Sequence, residues 1–249
     1  MTMARTDFNL VNLMNQFYQQ IAMVKRWINH DQLALEAKKI LKLQAMPNDE
    51  EMATAISLHL SQWLGDKRLY WRDKLTERQQ VLLDQACFAM VALADELFII
   101  ELDWTGRDYW QRVLLEEHFY DSCSAGGTFY RHLNTLLAHG KYDQLEVQLC
   151  AVYLLALRLG FAGRYRDKEP ILEVYRHKLF KIITQHQPIA AQYIHVQAYE
   201  HCMASQYEQR LAPLSNWYRW TVYSISLYFL IGAVVWLLLN QGLEKWLLT

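Results

Sequence analysis

From Trp220 to Leu243 the chain carries no charged residue, and Val222 to Leu239 is almost wholly apolar. At about 1.5 Å per residue a helix of that length rises about 36 Å, enough to cross a hydrocarbon core of roughly 30 Å. Trp217, Tyr218 and Trp220 stand at one end of the run and Trp246 at the other, where interfacial aromatics sit. The pattern predicts one C-terminal transmembrane helix within a linker-and-anchor segment at 213–243. The tail expected at 244–249 is too short to form a domain.

Charge fixes the expected direction of the span. Arg210 and Arg219 precede it, whereas Lys245 sits beside Glu244 after it, and positive charge belongs on the cytoplasmic side. Met1 to Arg26 has charges and polar residues throughout and no continuous apolar core, so it does not read as a secretory signal. Residues 1–212 are therefore expected in the cytoplasm, with the tail on the far side.

That larger part reads as all-α. Glycine and proline are sparse, at 9 and 4 residues, which favours long helices over a sheet with many turns. Leu10, Leu13, Phe17, Ile21, Val24 and Ile28 have helical spacing within a helix expected from Phe8 to about His30. A second is expected over Gln32–Ala45, before Pro47, and a third from a cap at Asp49 to about Gly65. Thr76-Glu77-Arg78-Gln79 resembles a capping box opening a long apolar helix that reaches about Glu101. A short helix is expected over Tyr109–Phe119. Gly126-Gly127 is expected to break the chain before a helix over Thr128–His139, ended by Gly140. Gln144–Leu159 is apolar enough to be deeply buried. Gly160 and Gly163 bound a turn, Pro170 sits at a helix start, and Pro188 opens a last helix reaching about Arg210.

No catalytic constellation is legible. There is no Walker spacing, no HExxH among the nine histidines and no GxSxG elbow. Cys87, Cys123, Cys150 and Cys202 lack CxxC spacing and read as reduced thiols. His118 beside Glu116 and Glu117 reads as a solvated helix face rather than a metal site. The formal net charge of -1, with no basic run, argues against nucleic-acid binding. No cofactor is expected. Two polar clusters stand out. Asp95-Glu96 lies deep in an apolar helix, where carboxylates need partners or a solvent-facing position; Arg164 and Arg166 are the candidate ion-pair partners. The second cluster is Gly160-Phe161-Ala162-Gly163-Arg164-Tyr165-Arg166, whose glycines permit a tight turn after a helix.

These clusters carry a family resemblance. Phe88-Ala-Met-Val-Ala-Leu-Ala-Asp95-Glu96-Leu-Phe, followed by Trp104, resembles the Asp-Glu helix of the DotU/TssL (IcmH) proteins. Trp110-Gln-Arg-Val-Leu-Leu115 is similar to that family's Trp…Leu-Leu segment. Gly126-Gly127-Thr-Phe129-Tyr130-Arg-His-Leu133 resembles its double-glycine block. Tyr153 to Tyr165, ending Leu-Gly160-Phe161-Ala-Gly163-Arg164-Tyr165, is similar to its most recognisable turn.

The resemblance implies a hook-like cytoplasmic bundle of helices on a bacterial inner-membrane anchor, with a short periplasmic tail in place of the wall-binding domain of some relatives. It implies a non-enzymatic secretion-system scaffold. The partners would be a large IcmF/TssM-type membrane protein, baseplate components in a type VI system, and a second copy of the chain. A type VI and a type IVB (Dot/Icm) system both remain open at this point, and a tail-anchored membrane enzyme is the remote alternative. As a scaffold, the chain would use Asp95, Glu96, Trp104 and Trp110 as exposed docking residues beside a cleft toward the Gly126 block. Gly126, Gly127, Gly160, Phe161, Gly163, Arg164 and Tyr165 would be structural. Ser224, Ser226, Gly232 and Ala233 would let two anchors approach closely.

Overall fold

The computed structural model describes residues 8–186. The expected last soluble helix, the span at 213–243, the tail and the proposed anchor contacts at Ser224, Ser226, Gly232 and Ala233 lie outside the described residues. Among the described residues, no helix is long and apolar enough to cross a membrane.

The described part is helical and, within it, free of strands. The helices are α1 (Leu10–Asn29), α2 (Leu33–Leu41), α3 (Asp49–Arg72), α4 (Glu77–Glu96), α5 (Leu115–Tyr120), α6 (Ala125–Leu137), α7 (Gln144–Arg158) and α8 (Glu169–His186). A π-helical turn at Leu97–Glu101 prolongs α4, and 3₁₀ turns occupy Arg107–Arg112 and Gly163–Tyr165.

Two helices form the centre. Every residue from Ala86 to Phe98 of α4 and its extension is buried, as is every residue from Leu149 to Leu157 of α7. A helix that is apolar on all sides must be enclosed by others. α4 and α7 pack on each other, with α1, α5, α6 and α8 around them. α1 contributes one stripe, Leu10, Leu13, Met14, Phe17, Ile21 and Val24, each at most 5% exposed, at the spacing expected of an amphipathic helix.

Local chemistry explains most boundaries. Thr76 and Gln79 form the capping box expected from the sequence, and Asp143 and Glu146 form another at α7. The cap of α3 is Asn48 rather than Asp49: its side chain accepts the Glu51 N–H at 2.8 Å while the Glu51 carboxylate accepts the Asn48 N–H at 2.8 Å. α3 also runs past Gly65 to Arg72, whereas α2 stops early because Lys42 turns left-handed (φ 54°).

The sequence expectation at Gly126-Gly127 is corrected. The pair does not break the chain; it lies in the first turn of α6. The helix starts there because the buried Glu116 carboxylate accepts the N–H groups of Ser124 and Ala125, both at 2.8 Å, two donors that the helix start leaves unsatisfied.

Candidate functional site

The family-like blocks converge on the end of α4. Asp95 and Glu96 are only 4% and 8% exposed, and each carboxylate collects N–H groups from a different loop. Asp95 Oδ1 accepts the indole N–H of Trp110 and the backbone N–H of Leu115, both at 3.0 Å. Its Oδ2 accepts the Glu116 N–H at 2.8 Å. It thereby holds the start of α5 by two backbone donors, the geometry in which a helix N-terminus best receives negative charge. Burial pushes the Asp95 carboxyl up to about 6, while its amide and indole donors pull against that shift.

Glu96 does the same for the turn after α7. Its Oε1 accepts the Ala162 and Gly163 N–H groups at 3.0 Å each, and Oε2 also lies 3.0 Å from the Gly163 nitrogen. Arg166 donates to Glu96 through Nη2 and to Glu101 through Nη1 at 3.0 Å. The ion-pair partner is therefore Arg166. Arg164 turns away and lies over the Tyr165 and Tyr130 rings, at 4.8 and 5.5 Å from their centroids.

Trp110 is fully enclosed and Trp104 is 8% exposed. Phe98 stacks on Trp110 with centroids 4.4 Å apart, and the Trp104 indole N–H donates to the Phe98 carbonyl at 3.0 Å. The expectation that Asp95, Glu96, Trp104 and Trp110 are exposed is thus corrected: all four are internal. Asp and Glu sit inside because the loops they cap bring donors to them, and the indoles because their N–H groups find partners.

The two glycine blocks meet backbone to backbone. A Cβ on Gly126 would stand 3.2 Å from the Arg164 nitrogen. One on Gly163 would stand 3.0 Å from the Gly126 Cα and 3.1 Å from Phe161 Cζ. Gly160 and Gly163 have φ of 116° and 51°, which side chains rarely adopt. Around this contact Phe129 lies 4.1 Å from Phe161, and Tyr130 donates its O–H to the Ala162 carbonyl at 2.8 Å. Gly127 faces open space. Replacing Gly163 by alanine combines a left-handed backbone with crowding against the Gly126 backbone and the enclosed Phe161 ring. It is expected to cost about 2–4 kcal/mol, read as a fall in the urea midpoint at unchanged slope; an unchanged midpoint would contradict this contact.

Sequence reasoning missed Glu116, which it placed on a solvated face; only Glu117 and His118 are exposed there. No local pattern marks Glu116, because its donors come from eight and nine residues later. Among the described residues no group of three or more His, Cys, Asp or Glu side chains is arranged to hold a metal ion. Burial pushes the Cys87 and Cys150 thiols up to about 12, which leaves them protonated and unreactive at neutral pH.

An open groove of about 780 Å³ lies elsewhere, between the second half of α3 and the first half of α4, with Leu69, Val81, Asp84 and Phe119 in its walls and His132 of α6 beside them. Neither Asp95 nor Glu96 lines it.

A family model described as type VI secretion system protein DotU matches residues 39–240. No curated protein and no solved structure matches the chain. The match covers most of the sequence and contains every block that meets at the end of α4, so the chain belongs to the DotU family of structural subunits of membrane-associated secretion complexes.

Proposed function

We propose that this chain is a non-enzymatic subunit of a type VI secretion system that fixes the complex in the bacterial inner membrane through residues 213–243, with residues 1–212 in the cytoplasm. The observation that carries this reading is the reach of the family match: it begins in α2 and runs through the charge-free segment to residue 240. Helical body and apolar run thus belong to one family unit, as a scaffold on an anchor requires. The partners in this reading are an IcmF/TssM-type membrane protein, baseplate components and a second copy of the chain. Small residues Ser224, Ser226, Gly232 and Ala233 would allow close approach of two anchors.

The buried residues take a supporting part in docking. Asp95, Glu96, Trp104 and Trp110 hold the loops at 97–114 and 160–166 from inside, and it is those loops that a partner would meet.

Fractionation and detergent purification test the proposal together. The full chain is expected to stay with membranes after alkaline carbonate washing, whereas a chain ending at residue 212 is expected in the wash. Recovery of an IcmF/TssM-type protein with the full chain is expected. Release of the full chain by carbonate would overturn the anchor. Co-purification with Dot/Icm proteins in place of sheath and baseplate proteins would overturn the type VI assignment.

A further inference from the structure

A second groove, of about 600 Å³, runs along the exposed side of α6 and ends at the 3₁₀ turn that follows α7; Ser124, Thr128, Arg131, Asn134, Thr135 and Arg164 line it. We propose that this groove binds an acidic segment of a protein partner, with Arg131 and Arg164 receiving its carboxylates. The proposal rests on the reading of the chain as a complex subunit only for who supplies the segment.

Charge carries the first step. Neighbouring arginines are paired: Arg166 with Glu96 and Glu101, and Arg176 with Glu169 and Glu173. Arg131 and Arg164 face no carboxylate within ion-pair distance among the described residues. Arg131 donates Nη2 to Thr128 Oγ1 at 3.1 Å, and the Arg164 guanidinium sits against the Tyr165 and Tyr130 rings. Two cations in one groove repel unless an anion joins them. Glu116, which holds Ser124 at the groove's end, has both oxygens turned to the Ser124 and Ala125 amides.

Two tight backbone contacts make the pairing. Arg164 reaches α6 only because Gly126 and Gly163 let the turn touch the helix, with no room for a Cβ between them. Contact with the two tyrosine rings restrains the Arg164 guanidinium, so less freedom is lost when its fork meets a carboxylate.

The shape favours an extended peptide over a compact phosphate. Thr128, Arg131 and Thr135 recur at helical spacing on one side of α6, so the groove they line extends over about 10 Å. The backbone amides that would cradle a phosphate are spent: Ser124 and Ala125 on Glu116, Gly127 and Thr128 on the Ser124 carbonyl.

The test uses the full chain in non-ionic detergent and fluorescein-labelled hexaglutamate, read by anisotropy at low salt. Arg131→Gln and Arg164→Gln are each expected to weaken binding about fivefold, and the double variant by more than about tenfold. Both side chains are exposed, and unchanged circular dichroism will show that the variants fold. Lys67→Gln, on α3, is expected to bind as the unaltered chain does. Undiminished binding by the double variant would overturn the proposal, as would an equal loss in the Lys67 variant. Displacement of the peptide by millimolar inorganic phosphate or glycerol phosphate would replace it with a small-oxyanion or lipid-headgroup site. None of these outcomes bears on membrane anchoring, so the proposed function stands or falls separately.

Discussion

Replacing Glu96 by alanine is expected to lower the stability of the helical body by about 3–5 kcal/mol, and replacing Arg166 by alanine by only about 1–2 kcal/mol. The pair is one ion bridge, yet its members lose different things. Without Glu96 the Ala162 and Gly163 amides have no acceptor, and the Ala162 bond is enclosed where water does not replace it. Without Arg166 the Glu96 carboxylate keeps both amide donors. Arg166 itself is about a third exposed and shared with Glu101, so much of its charge is already solvated. Desolvated amides therefore outweigh the screened cation. The turn they hold presents Arg164 to the groove on α6, so the Glu96 variant should also lose hexaglutamate binding. Urea unfolding followed by tryptophan emission measures both costs; equal costs would mean that the ion pair, and not the amides, dominates.

The helical order was legible because its signals are local. Thr76 and Gln79 lie three residues apart and form the box their spacing suggests. The unbroken apolar run of α7 demands enclosure, and Gly160 and Gly163 do take the left-handed conformations of a turn. What escaped the sequence depends on partners far along the chain. Gly126-Gly127 looks like a break until Glu116 is known to cap the turn containing it. Gly65 is tolerated inside α3 at about 1 kcal/mol, offset by the packing of Ile56, Leu60 and Leu64. The need of Asp95 and Glu96 for partners followed from their apolar helix. Their burial did not, because every one of these partners lies fifteen or more residues away. Arg164 and Arg166 are two residues apart, and only the 3₁₀ turn decides which one faces Glu96.

This arrangement also explains how the chain can keep an acidic pair in its core. Adjacent carboxylates that each gather amides from a different loop tie segments distant in sequence to one helix end. Hydrophobic contacts alone would hold those loops near α4 without fixing their direction. Asp95 orients α5, Glu116 passes the same device on to α6, and Glu96 orients the turn that crosses α6. The chain of three carboxylates fixes how α5, α6 and the turn after α7 sit on the end of α4.

Asp95 supplies the other large expected effect, and one with a pH signature. Its removal in an Asp95→Ala variant leaves the Trp110 indole and the Leu115 and Glu116 amides without acceptors. Buried orphan donors cost about 1–3 kcal/mol each and do not add fully, so a loss of about 3–5 kcal/mol is expected near pH 5. Burial raises the folded-state value to about 6, above the roughly 3.9 of an unfolded aspartate. Between those values the folded chain keeps a proton that the unfolded chain has released. The contribution of Asp95 is therefore fully present below about pH 4 and declines as pH rises through 6. The alanine variant lacks this decline, so the gap between the two proteins should narrow by about 1 kcal/mol from pH 5 to pH 8. A gap that widened would mean that the three N–H donors stabilise the ionised carboxylate by more than burial penalises it. Asp95 would then act as a charged cap on α5 rather than as a largely protonated one at mildly acid pH.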